Sequence, residues 1–221
     1  SFEEACEIVL AAVAPLGEEY VETLRKGLTE DRWVDVLENK GKRGGAYSSG
    51  SYDSNPYILL NFDGTLYDVL ILAHEAGHSM NSYLSNKKQT YPEANYTIFV
   101  AEVASTFNEQ LTYEYLLNNA DSSEERIYIM NAQLDAIRNT LFRQTLFAEF
   151  ELKIHEIVEG GGSLSLDTMK SIYGDLNKKY YGKSLEVTDQ FCGEFLRVPH
   201  FYYNFYVYQY ATGISAAIAL V

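Results

Sequence analysis

The chain has 221 residues, enough for one substantial core or two small ones. Hydrophobic residues at 47% and charged residues at 22% are the proportions of a globular protein, and 17 basic against 31 acidic residues (net charge -14) argue against a nucleic-acid binder, which needs a basic face. Cys6 and Cys192 are too few for a disulfide framework and fit a reducing compartment, no stretch has the length of a membrane span, and the acidic start from Ser1 to Glu7 is no secretory signal.

In chain order, Ser1 and Glu4 form a capping-box pattern ahead of Cys6, Ile8, Val9, Ala12 and Val13, which predicts a first helix broken by Pro15 and Gly17. A second helix is expected from Glu18 to about Leu28, and a short third one carrying Trp33, Val36 and Leu37. The stretch from Gly41 to Gly50 holds four glycines and leads into Tyr57–Phe62, which reads as a strand. A small hairpin results, its Gly44-Gly45 lead-in being either a mobile flap over a substrate or a connector. The edge of the 57–62 strand offers main-chain hydrogen bonds to an extended peptide.

Asp63-Gly64 ends that strand, and Thr65 caps a helix expected from Leu66 to about Leu84. After a polar loop with Pro92, another helix is expected from Ile98 to Leu117. Ser122 and Glu125 open a long helix to about Val158, which Gly160-Gly161-Gly162 stops. A helix from Asp167 to Tyr181 and a Tyr-rich helical tail complete a mainly α fold with a small β hairpin or sheet. The lack of an initial Met and the apolar helical run at the end read residues 1–221 as one catalytic domain cut from a longer chain.

The helix expected from Leu66 carries His74-Glu75-Ala76-Gly77-His78. Helical residues four apart are offset by about 40° around the axis and about 6 Å along it, so both imidazoles reach one ion while Glu75 projects beside it. Zinc hydrolysis needs this set: neutral ring nitrogens as ligands, and a carboxylate to take a proton from the metal's water. Val69–Ala73 before the motif and Met80, Tyr83 and Leu84 after it predict a buried helix, in which three ionisable groups need partners. Gly77 costs about 1 kcal/mol against Ala inside a helix and points to another backbone close by. A non-catalytic peptide-binding or zinc-stabilised structural domain is the reading from another class. Glu75 argues against it, because a structural zinc site closes with four protein ligands and has no use for a base.

A third ligand is required. A His six residues past the second one, with Gly at the third, would serve, but Leu84 and Asn81 stand there, and the longer spacing of other zinc peptidases meets no carboxylate. Glu102, set among the apolar and small residues of Phe99-Val100-Ala101-Glu102-Val103-Ala104-Ser105, is the expected ligand, with Glu93 in the Pro92 loop as its competitor. Glu109 shares the helical face of Glu102. It either accepts the outer N–H of a ligand His and fixes its tautomer, or is a solvated carboxylate.

The pattern from His74 through Glu102, continued by Thr106-Phe107-Asn108-Glu109, resembles the oligoendopeptidase F group of the thimet oligopeptidase-like (M3) metallopeptidase family. The tail Pro199-His200-Phe201-Tyr202-Tyr203-Asn204-Phe205-Tyr206-Val207-Tyr208-Gln209-Tyr210-Ala211-Thr212-Gly213 is equally similar, and the likeness covers nearly the whole chain. The resemblance implies a zincin-like, largely helical catalytic domain with a deep channel and one zinc ion. It implies hydrolysis of short peptides in the cytoplasm, to which the residues add Glu75 as general base and internal bonds as the leading target, while the acidic charge and the lack of an apolar span predict no nucleic-acid or membrane partner. It also implies a further N-terminal region and a last C-terminal helix in the longer chain.

The resemblance favours His200, Tyr206 and Tyr210 as donors to the oxyanion that peptide hydrolysis develops. On the residues alone, Tyr203, Tyr206 and Tyr210 share one stripe of the expected tail helix, with Tyr208 pointing elsewhere, and a packed aromatic stripe is the commoner meaning of such a pattern. His155, well inside the long helix, is expected to be structural or solvent-facing. Trimming of peptide ends, with Arg43 or Arg197 capturing a terminus, is the second enzyme reading.

Overall fold

In the computed structural model, which describes residues 1–221, nine α-helices and a three-stranded sheet follow one another. The helix α1 (Phe2–Ala12) opens on the Ser1–Glu4 capping box. The helix α2 spans Glu18–Thr29, and the strands are β1 (Val34–Asp35), β2 (Tyr47–Ser49) and β3 (Tyr57–Leu59). The long α3 (Leu66–Lys88) starts on a second box: Thr65 Oγ1 accepts from the Asp68 amide (3.3 Å), and the Asp68 carboxylate accepts from the Thr65 amide (2.8 Å). Then come α4 (Ile98–Asn118), α5 (Ser123–Ile137), α6 (Arg143–Glu159), α7 (Leu166–Tyr181), α8 (Asp189–Cys192) and α9 (Tyr208–Leu220). The expected mainly α class with a small sheet is what the chain adopts.

The chain divides into two compact units, Ser1–Leu134 with Gly213–Val221, and Asp135–Thr212. In the first, Val9, Leu24, Trp33, Ile58, Leu72 and Met80 form one buried cluster, so α3 is held from the N-terminal helices and the sheet. The second has its own aromatic core, with the Phe150 ring 5.3 Å from Tyr173 and 5.1 Å from Phe195. There the Glu194 carboxylate accepts hydrogen bonds from Arg143 (2.8 Å), Arg197 (2.6 Å) and Tyr173 (2.8 Å). Burial pushes its pKa up, but these donors outweigh burial and hold it below the usual carboxylate value.

Four expectations change. The short helix at Trp33–Leu37 is absent. Arg32 takes φ +56°, which turns the chain back, and the Trp33 ring lies so close to Gly27 that a Cβ there would fall 2.3 Å from it. Trp33 O then accepts from the Ile58 amide at 2.7 Å, and β1 pairs parallel to β3. The strand expected at 57–62 spans Tyr57–Leu59 and is central, in the order β1-β3-β2, so the edges of the sheet are β1 and β2. Asn61 Nδ2 donates to Arg43 O (3.1 Å) and Gly45 O (2.8 Å), which links the Gly44-Gly45 segment to the residues after β3.

The long helix is interrupted by a π-helical turn at Arg138–Phe142. The tail is not one helix either: Pro199–Tyr202 is a 3-10 turn, Phe205 has φ +54°, and α9 begins only at Tyr208. The buried Glu151 carboxylate accepts from the Phe205 amide at 2.8 Å, and the His155 ring lies 4.7 Å from the Phe205 ring, which supports this left-handed turn and assigns His155 a packing role.

Candidate metal centre

The helices α3 and α4 lie side by side, and glycine sets how closely. A Cβ on Gly77 would fall 2.7 Å from Ala104 O and 2.7 Å from Ser105 Cα, so only glycine lets the two backbones meet there. This brings α4 within reach of the two imidazoles one turn apart on α3. His74, His78 and Glu102 converge: their candidate ligand atoms all lie within 4.8 Å of one another. His74 Nε2 is 3.1 Å from His78 Nε2 and 3.6 Å from Glu102 Oε2, and His78 Nε2 is 3.8 Å from Glu102 Oε1. A second glycine backs the carboxylate, because a Cβ on Gly213 of α9 would fall 2.9 Å from Glu102 Cβ.

Glu109, two helical turns beyond Glu102 on α4, bonds His74 Nδ1. Glu109 therefore contacts His74 rather than standing in solvent; in a neutral His74 whose Nδ1–H donates to this carboxylate, Nε2 would be the lone pair facing the cluster. Glu75 is 6% exposed, and its Oε2 is buried with no hydrogen-bond partner. Beside it, Ser79 Oγ bonds Ser48 Oγ at 2.8 Å, tying α3 to the edge strand β2. Glu93 remains in its loop, bonded by the Thr90 hydroxyl at 2.9 Å, outside the cluster.

The electrostatics describe a site short of positive charge. Burial raises Glu75 to about 7, with Glu102 and Glu109 adding to it and His74 and the Ser48 amide opposing. Glu102 is raised by the same cause, burial. Burial alone would lower His74, but its bond to Glu109 and the neighbouring carboxylates outweigh that and carry it to about 9. Burial and the His74 charge drive His78 down to about 3. Two imidazole nitrogens facing each other at hydrogen-bond distance, the Glu102 carboxylate converging with them and the orphaned Glu75 oxygen make a donor set that fits a divalent cation taking nitrogen and oxygen ligands.

The remaining residues expected in the site lie in the second unit. The His200 ring is 5.7 Å from the Tyr206 ring and 6.0 Å from the Tyr210 ring, and Tyr206 is 5.6 Å from Tyr210. They form one aromatic group although a turn, not a helix, brings them together. Tyr203 joins it at 5.9 Å from Tyr206. Burial lowers the His200 pKa. The contact of Gly213 with Glu102 carries no local sequence signal, since it depends on the meeting of two distant helices.

The sequence model of Peptidase family M3 matches residues 1–220. Oligopeptidase PepF of Bacillus subtilis (strain 168) is 54% identical over 220 residues, which are 100% of this chain and 33% of that protein. A crystal structure from Chlamydophila abortus superposes with a TM-score of 0.80 at 52% identity, covering 99% of this chain and 37% of the other. The crystal structure of oligoendopeptidase-F from Enterococcus faecium gives a TM-score of 0.66 at 37% identity, over 98% and 32%. The chain thus spans about a third of the length of these relatives. With its sequence matched from end to end, and its fold shared with a protein so similar, the chain belongs to Peptidase family M3.

Proposed function

We propose that the full-length protein is a zinc-dependent oligopeptidase that cuts internal bonds of short peptides, with His74, His78 and Glu102 holding one zinc ion. The observation that carries this reading is the convergence of these three side chains, with the unpartnered Glu75 Oε2 beside them. A zinc ion held there supplies Lewis acidity, polarising the scissile carbonyl and acidifying water. Glu75 accepts the proton of the attacking water on Oε2 and returns it to the leaving amine nitrogen. Glu109 holds the His74 tautomer through Nδ1.

His200, which carries a ring N–H in either protonation state, and the Tyr206 and Tyr210 hydroxyls are assigned to the oxyanion. Their support is the single aromatic group they form with one another. End-trimming has less support. Arg43 is exposed, and Arg197 is already paired with Glu194 at 2.6 Å. The two cysteines are free thiols, which suits a cytoplasmic setting, and no helix is long and apolar enough to cross a membrane. Cell fractionation that finds the protein outside the cytoplasm would remove that setting.

The test is a peptide of about ten residues, acetylated and amidated at its ends, given to the zinc-loaded full-length protein and read by mass spectrometry. Internal fragments are expected. Cleavage only of peptides with free ends would turn the reading to trimming. In the same assay Tyr206→Phe is expected to lower kcat by about 10²–10³ with little change in KM, as for loss of one oxyanion donor. Unchanged turnover in Tyr206→Phe, Tyr210→Phe and His200→Ala together would remove this group from the chemistry.

The close approach of Gly213 makes a separate prediction. Gly213→Ala puts a methyl group where Glu102 Cβ and its carbonyl carbon already lie, at 2.9 and 3.1 Å. Overpacking of this kind costs about 1–3 kcal/mol of stability. The displaced Glu102 is expected to weaken zinc binding about tenfold or more, as disturbance of a ligand's support does. Competition with a chromogenic chelator measures it, and wild-type affinity in a destabilised Gly213→Ala protein would show that the contact serves packing alone.

A further inference from the structure

One turn past His78 on α3, Ser82 and Asn86 face a cavity of about 320 Å³ whose other walls come from the residues after β2 and from the Pro92 loop. Its lining contains no charged side chain, and three of its walls are the rings of Tyr52, Tyr91 and Tyr96. These rings are braced: Tyr52 Oη donates to Gln89 O at 2.8 Å, and two contacts run within the lining itself, Tyr52 and Tyr91 packing edge to face at 5.5 Å and Tyr96 Oη bonding Ser82 Oγ at 2.5 Å. The volume sits at the lower limit of ligand pockets, roughly 300–1,000 Å³, which suits one large side chain better than a whole ligand.

Its place relative to the metal centre gives it a use. Gly50, Ser51 and Tyr52 directly follow the edge strand β2, and the Ser48–Ser79 bond fixes β2 beside Glu75. A peptide paired with β2 would run along the strand held beside Glu75 and on toward the residues that line this cavity. From His78 to Ser82 is about 6 Å along the helix, close to the roughly 6.6 Å between alternate residues of an extended chain. Antiparallel pairing, the commoner and slightly stronger arrangement, sets the N-terminal half of the peptide against the C-terminal end of β2, where the cavity lies.

We propose that this cavity is a specificity pocket for an uncharged, aromatic side chain of the peptide substrate, located one to three residues to the N-terminal side of the cut bond. The inference rests on the peptidase reading above. The Tyr52, Tyr91 and Tyr96 rings provide stacking area in a lining that is otherwise largely polar, Asn86 adds a neutral polar residue to it, and a charged side chain would lose water there with no counter-charge.

The test uses the zinc-loaded full-length protein and end-blocked peptides that differ only in carrying Phe, Ala, Lys or Asp at each of the three positions before the cut bond. At one of these positions kcat/KM for Phe is expected to exceed that for Asp by about tenfold or more, the range over which side-chain pockets discriminate. The near-isosteric Asn86→Asp variant is then expected to shift the Lys-to-Phe ratio of kcat/KM at that position about tenfold toward Lys, a change of selectivity that loss of fold does not imitate. Equal kcat/KM for all four residues, discrimination confined to positions after the cut bond, or an unshifted ratio in Asn86→Asp each overturns the pocket while cleavage of the Ala peptide leaves the peptidase reading standing. Failure to cleave any peptide, the Ala one included, overturns both.

Discussion

Replacing Glu75 with Gln in the full-length protein is expected to lower kcat by about 10²–10⁴ while the zinc content stays at one ion per chain, the range contributed by a positioned proton acceptor. Glu75 shares α3 with His74 and His78 but stands outside the converging set, and its Oε2 is buried without a partner. Gln keeps the size and the helix, and it removes only the ability to take a proton. KM is expected to change little, because the missing interaction belongs to the transition state. Metal analysis by mass spectrometry and single-turnover kinetics check the two halves separately. A Glu75→Gln protein that holds zinc and turns over at near wild-type rate would dismiss Glu75 as the base. A loss of zinc would make Glu75 a ligand, and Glu102 would then need another role.

Removing a ligand acts on binding instead. Zinc held by protein ligands contributes about 10–16 kcal/mol, so one ligand of three carries roughly 3–5 kcal/mol if they share evenly. His78→Ala and Glu102→Ala are therefore each expected to weaken zinc by about 10²–10⁴-fold and to lose activity with the metal, restored in part at high zinc concentration. Glu109→Gln should cost less, about 10–100-fold, because Glu109 bonds His74 rather than the ion. Chelator competition ranks the four variants, with Glu75→Gln at wild-type affinity. The same ranking separates catalysis from a structural zinc site, in which the variant at Glu75 would be silent in every assay. A Glu102→Ala protein with wild-type zinc affinity would return the third ligand to open competition.

Much of this centre is legible in the chain because its parts are local. Thr65 and Asp68 announce the start of α3, the apolar flanks from Val69 to Leu84 announce its burial, and a four-residue spacing on a helix settles that His74 and His78 share a face. Glu102 is legible by its helical setting among small residues, the same setting that lets α3 approach α4 at Gly77. What escapes is whatever depends on two distant segments meeting. Trp33 and its neighbours have a helical pattern, but the ladder of β3 and the space over Gly27 claim them. The tail has helical spacing, but Pro199 and the left-handed Phe205, held by Glu151 from a helix more than fifty residues earlier, break it. Tyr203, Tyr206 and Tyr210 still come together, through a turn that no periodicity describes. The role of Gly213 against Glu102 is of the same kind.

The most direct measurement is anomalous diffraction at the zinc absorption edge from crystals of the full-length protein. One strong peak is expected, at roughly 2.0–2.2 Å from His74 Nε2, His78 Nε2 and a carboxylate oxygen of Glu102, with Glu75 close by but unbound to the ion. A peak elsewhere, or one at this place ligated by Glu75 with Glu102 turned away, would contradict the assignment.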